Sequence, residues 1–194
     1  MLYDLLKSSK IALILLLIFT VITGLIYPLF ITMVAQIIFP IKANGSLIIK
    51  NHKIIGSELL GQEFKNPKYF WGRVSLTDNY PYNTMFSGGS NLGPNSLQLK
   101  LNIRSSVIKI KQADLNNNLP IPIELVTASS SGLDPHISPT AALYQISRIA
   151  KLRNMPESNL KKLIDQFTEK SQFGLFGGPK INVLKINIAL DEYE

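Results

Sequence analysis

The sequence has no cysteine and only two histidines, His52 and His136. Without thiols there can be no disulfide, no thiolate nucleophile and no Cys-ligated metal. His136 would need partner ligands that the chain does not set beside it, so no metal site is expected. Basic runs are also missing: none exceeds Lys161-Lys162. Together with the lack of any nucleic-acid motif, this makes the formal charge of +7 a solvated surface, one that could sit near anionic lipid, rather than a nucleic-acid footprint. Charge of either sign is absent between Lys10 and Lys42.

That uncharged stretch carries the rest of the reading. Ile11 to Ile26 is apolar on every side, which a soluble helix rarely tolerates. A bilayer core about 30 Å thick needs roughly 20 helical residues at about 1.5 Å each, and Ile11–Phe39 exceeds that. Backbone groups in hydrocarbon must pair within the segment, so a lone span is a helix. A cleaved signal would have a shorter apolar region of about 7–15 residues and a small-residue cleavage site; here bulky Met33 stands before Ala35. Pro28 lacks the N–H that would bond to residue 24 and should loosen the helix near its far end. Thr20, Thr23 and Gly24 are small enough to let a partner helix approach. The orientation is not given by charge, because Lys7 and Lys10 precede the span and Lys42, Lys50 and Lys53 follow it.

The boundaries read as a short N-terminal segment 1–10, a transmembrane helix and stalk 11–39, and one soluble domain 40–194. Setting aside Asp4, Lys7 and Lys10 leaves 18 basic and 12 acidic residues in the rest. Ser46–Lys50 and Lys53–Gly56 read as a hairpin around Asn51-His52. Pro67–Arg73 is an aromatic cluster of core or interface anchors, and Thr77–Pro94 is a long polar loop, a kind that is often functional. Leu97–Arg104 alternates like a strand, yet Ile103, Val107 and Ile110 recur at helical spacing, and the spacing predicts a helix from near Pro94. Ile121–Thr127 is expected to be a strand, and Ser138 to cap a helix with Pro139 at its first position, running to about Asn154. Its apolar face would be Ala142, Leu143, Ile146, Ile149 and Ala150. Pro156 opens another helix, with Leu160, Leu163, Ile164 and Phe167 on one face. Ile181–Ala189 reads as a final strand. No internal repeat is found. The fold class is therefore α+β: one N-terminal transmembrane helix, then a single compact domain of a small sheet packed with helices.

Two polar loops hold the candidate chemistry. Ser87, Gly88, Gly89, Ser90, Asn91 and Gly93 form a glycine-rich stretch whose amides could hold phosphate if Ser90 or Pro94 opened a helix. It is neither a Walker motif nor GxGxxG, and a glycine-dependent turn is the plainer reading. Ser131, Gly132, Asp134 and His136 share a second loop. A Ser/His/Asp triad needs groups converging from separate positions, so Asp134 is expected instead to form an Asx turn before Pro135. No catalytic residue is assigned.

The segments Gln36-x-x-Phe-Pro-x-x-Ala-Asn-Gly-Ser46, Gly61-Gln-Glu-Phe64, Tyr69-Phe-x-Gly-Arg73, Ser87–Pro94, Ser131–Pro139 and Val183-Leu-x-x-Asn187 together resemble the C subunit of the Kdp-type potassium-transporting ATPase. The resemblance runs through the whole chain in order, departing at Val74, where the family usually has Pro, and at Ser130, where it often has Gly. It implies a non-catalytic accessory subunit of a high-affinity, ATP-driven potassium uptake complex. Its partners would be a channel-like potassium-binding subunit, a P-type ATPase subunit and a small single-span subunit. The implied role is assembly and chaperone-like support of ATP binding by the ATPase subunit. The implied placement is the cell (inner) membrane, N-terminus cytoplasmic and domain outside. No cofactor is expected on this chain itself. ATP would be met only in the complex or, in the alternative reading, directly through Ser87–Gly93 as a regulatory nucleotide site.

Overall fold

The computed structural model describes residues 2–193. The chain falls into two compact units, Met1–Leu47 and Ile48–Glu194.

In the first unit, α1 (Leu2–Val21) leads through a single π-helical turn (Ile22–Ile26) into α2 (Tyr27–Ile38). The cause of that turn is Pro28. It cannot donate to Gly24, and its ring would strike the preceding turn, so the backbone widens and the Tyr27 N–H reaches back to the Ile22 carbonyl. The loosening expected at Pro28 thus takes the form of one extra residue in the turn. The stretch Leu6–Ile38 is long and apolar enough to cross a membrane. A short helix, α3 (Pro40–Ala43), follows. The Asn44 and Gln36 amides exchange hydrogen bonds of 3.1 and 3.3 Å, and Asn44 also donates to the Pro40 carbonyl, so the end of the long helix is clipped to the turn after it.

The hairpin is present: β1 (Leu47–Lys50) and β2 (Lys53–Ser57) pair across Asn51 and His52, both at positive φ, as a two-residue primed turn requires. No helix or strand forms between Ser57 and α4 (Leu97–Ala113). The helical periodicity therefore prevails over the strand-like alternation of 97–104. The helix begins later than Pro94, because Ser96 is the residue whose side chain accepts the Leu99 N–H. Ser138 accepts the Ala141 N–H and Pro139 occupies the first turn of α5 (Pro139–Tyr144). The helix expected to run on to Asn154 instead changes course at Gln145 and resumes as α6 (Ile146–Arg153), ended by left-handed Asn154. Leu143 consequently leaves the buried face and is 46% exposed, while Ala142, Ile146, Ile149 and Ala150 are buried. In α7 (Glu157–Phe167) Leu160, Leu163 and Ile164 are buried and Phe167 packs against them.

Two expected strands are helical. Ile121–Thr127 contains a 3-10 turn, Ile123–Leu125: Pro120 and Pro122 withhold ladder donors, and the Glu124 carboxylate accepts the Ser138 N–H and hydroxyl. Ile181–Ala189 splits into β5 (Lys180–Asn182) and α8 (Val183–Glu192). Asn182 stops the strand because its side chain accepts the Lys185 N–H and caps the helix. Beyond it, Val183, Ile186, Asn187 and Leu190 fall on one helical face rather than alternating. β5 is the centre of a small antiparallel sheet ordered β3-β5-β4, where β3 is His136–Ile137 and β4 is Thr168–Glu169. Phe70, Ile137, Ile149, Leu160, Leu163, Ile164, Ile181, Ile186 and Leu190 make up the core against these strands.

Candidate functional site

The two polar loops singled out in the sequence lie together. The Gly88 N–H donates to the Ser131 carbonyl at 2.9 Å, and the Ser87 hydroxyl donates to the same oxygen at 3.1 Å. Glycine permits this approach. Gly132 has φ +68°, and a Cβ there would lie 2.9 Å from the Gly88 carbonyl; one on Gly89 would lie 2.9 Å from the Ser130 carbonyl. The Ser75 hydroxyl ties in by donating to the Gly132 carbonyl at 2.7 Å. Ser90 and Asn91 lie farther along the first loop. Ser90 accepts the Leu92 N–H, Asn91 sits at φ +51°, and the Gly93 carbonyl accepts the Ser96 N–H. Because α4 starts at Leu97, the glycine-rich stretch does not supply a helix's first amides.

Asp134 forms the expected Asx turn, accepting the His136 backbone N–H at 3.0 Å. The same oxygen, Oδ1, lies 3.5 Å from the His136 ring nitrogen Nδ1, and the other, Oδ2, meets the Arg73 guanidinium at 3.2 Å. Desolvation would raise this carboxyl, but bonds from His136 and Arg73 outweigh it and hold Asp134 below the ordinary carboxylate range. The Ser131 hydroxyl accepts from the Leu133 N–H, and no hydrogen bond joins it to His136 among the described residues. Arg73 also donates to the Ala128 carbonyl, so the second loop is pinned at both ends to the Tyr69–Arg73 segment. The arrangement is a cross-braced polar surface. In the other unit, the Thr23 hydroxyl donates to the Phe19 carbonyl, and a Cβ added at Gly24 would meet nothing within 4 Å. Thr20 lies on the same exposed helix.

A second feature, carried by no sequence motif, surrounds Trp71. Trp71 has the Arg148 guanidinium 4.2 Å and the Lys109 ammonium 5.2 Å from its ring centroid. Gln145, at the break between α5 and α6, accepts the Trp71 N–H and donates to its carbonyl, while its oxygen also accepts from Arg148 at 2.6 Å. Arg148 is buried and bonds otherwise to the carbonyls of Pro67 and Tyr69. Burial lowers it to about 10, so it stays protonated at neutral pH. Together with Arg73, Asp114 and Tyr82 these residues wall a cavity of about 210 Å³. Burial, with Asp134 and Glu63 nearby, pushes the Tyr82 phenol up to about 12, and it donates to the Arg73 carbonyl at 2.6 Å. The signal for this site was present in Trp71-Gly-Arg73 and in the break at Gln145, but the chain supplies its walls from four distant segments.

Comparison with known proteins gives one consistent result. The family model described as "KdpC: K+-transporting ATPase, c chain" matches residues 9–192. The chain is similar to the potassium-transporting ATPase KdpC subunit of Methylococcus capsulatus, 52% identical over 182 residues, which cover 94% of this chain and 96% of that one. It is 51% identical to the same subunit of Dechloromonas aromatica, covering 89% and 90%, and 52% identical to that of Polynucleobacter asymbioticus, covering 89% and 91%.

Proposed function

Since the chain belongs to the KdpC family, the c chain of K+-transporting ATPases, we propose that it is the non-catalytic accessory subunit of an ATP-driven potassium uptake complex, serving assembly and the chaperone-like support of ATP binding by the catalytic P-type subunit. The observation that carries this reading is the helix Leu6–Ile38: 33 residues, uncharged beyond Lys10 and long and apolar enough to cross a membrane. Such a helix has lipid and partner helices as its only neighbours, and the open side at Gly24 suits close packing against one of them.

In this reading the span packs on the helices of the channel-like and ATPase subunits and of the small single-span subunit. The soluble unit, held outside the membrane with the N-terminus in the cytoplasm, docks through the braced loops at Ser87–Gly89 and Ser131–His136. The rigidity of those loops favours docking, because pre-ordered contacts cost less entropy on association. Direct nucleotide binding at Ser87–Gly93 gains no such support, since Gly88 already spends its N–H on Ser131.

The test is co-purification. Gly24→Leu fills the open side of the helix without touching the folded unit. The amount of this chain recovered with a tagged ATPase subunit should fall severalfold, while its level in the membrane is unchanged. Full recovery of an intact complex would contradict the packing role.

A further inference from the structure

We infer that the cavity beside Trp71 binds a small organic carboxylate that also carries a hydrogen-bond donor, such as a short hydroxy- or amino-carboxylate. Two buried side-chain atoms have no hydrogen-bond partner among the described residues: Arg73 Nε, a donor, and Asp114 Oδ2, an acceptor. Both residues line this one cavity. The Asp114 side chain is 8% exposed, and its other oxygen lies 3.6 Å from Lys151. A buried polar group left unpaired is costly, and more so when charged. A ligand offering an acceptor to Arg73 and a donor to Asp114 satisfies both at once.

The charge of the walls sets the ligand's sign. Lys109 has its ammonium over Trp71 and no carboxylate partner among the described residues, and buried Arg148 bonds only to carbonyl and amide oxygens. The two acids of the wall are already engaged elsewhere, Glu63 with Lys65 at 3.2 Å and Asp114 with Lys151. Arg73 is itself paired with Asp134, so the cations in excess are Lys109 and Arg148, which favour an anionic group on their side of the cavity, with Arg73 Nε as a further donor. Phe64, Ile110 and Leu125 give the remaining wall a hydrocarbon face. The cavity volume is about 210 Å³. That suits a molecule of a few carbons.

Trp71 is the sole tryptophan of the sequence, so its emission reports on this cavity alone. The full-length chain in detergent would be titrated with lactate and glycine as donor-bearing carboxylates, with propionate as a carboxylate lacking the donor, and with phosphate and chloride. Lactate or glycine should change the emission saturably, with propionate at least tenfold weaker. Lys109→Gln, on an exposed position, and Asp114→Asn should each weaken the preferred ligand at least tenfold. The Lys109 variant carries the test if Asp114→Asn does not fold. A flat response to every probe, which would mean the cavity takes only water, overturns the assignment. So does an equal response to chloride or phosphate, or a tie between lactate and propionate.

Discussion

Asn187 shows at the scale of one residue how a polar side chain can hold a core together. It is 1% exposed, its carbonyl oxygen accepts the Phe70 N–H at 2.9 Å, and its amide donates to the Phe70 carbonyl at 3.0 Å. Both backbone groups of a wholly buried Phe70, in a stretch with no regular ladder, depend on it. Asn187→Ala orphans both, at about 1–3 kcal/mol for each buried group left unpaired. The melting temperature should drop by several degrees, whereas Asn118→Ala on an exposed position should leave it unchanged. Asp134 gives a pH-dependent counterpart. Its pKa is lowered in the folded state, so its contribution is complete above the unfolded value near 3.9 and is lost as pH falls through the lower folded value. The melting-temperature gap between wild type and Asp134→Asn should be constant above about pH 5 and should narrow below about pH 4. A gap that widened on acidification would contradict the assigned shift.

Among the elements, local signals are legible in the sequence and non-local ones are not. Ser138-Pro139, Asn51-His52 and the Leu160–Phe167 face were legible because each is a short-range rule: a cap, a turn that needs positive φ, and a helical stripe. Ile181–Ala189 reads as a strand because its apolar residues fit an alternating pattern as well as a helical one. The residue that decides between them, Asn182, acts by capping α8 and by donating to the Glu58 carbonyl, a contact across most of the domain. The break at Gln145 was invisible for a similar reason: its amide is committed to Trp71, far back in the sequence. The Trp71 cavity shares that origin. The Ser138 cap carries a prediction of its own. Ser138→Ala should cost about 1 kcal/mol from the lost cap, or roughly 2–4 °C for a chain of this size. The loss should grow further because Glu124 loses a donor. Thermal unfolding of that variant beside Glu124→Gln separates the two contributions; equal melting of wild type and Ser138→Ala would count against the cap.

For the molecule as a whole, a long apolar helix with a π turn at Pro28 is joined to a folded unit whose two polar loops are braced against each other. Family membership gives this arrangement its context, and the docking role proposed for it requires the folded unit to be on the outer side of the membrane, away from cytoplasmic ATP. The absence of cysteine makes that directly measurable, because Leu115, 82% exposed, can be replaced by a single Cys with no background labelling. Treatment of intact cells with a membrane-impermeant maleimide should label Leu115→Cys before any lysis. Labelling that appears only after the membrane is permeabilised would place the folded unit in the cytoplasm and contradict the account.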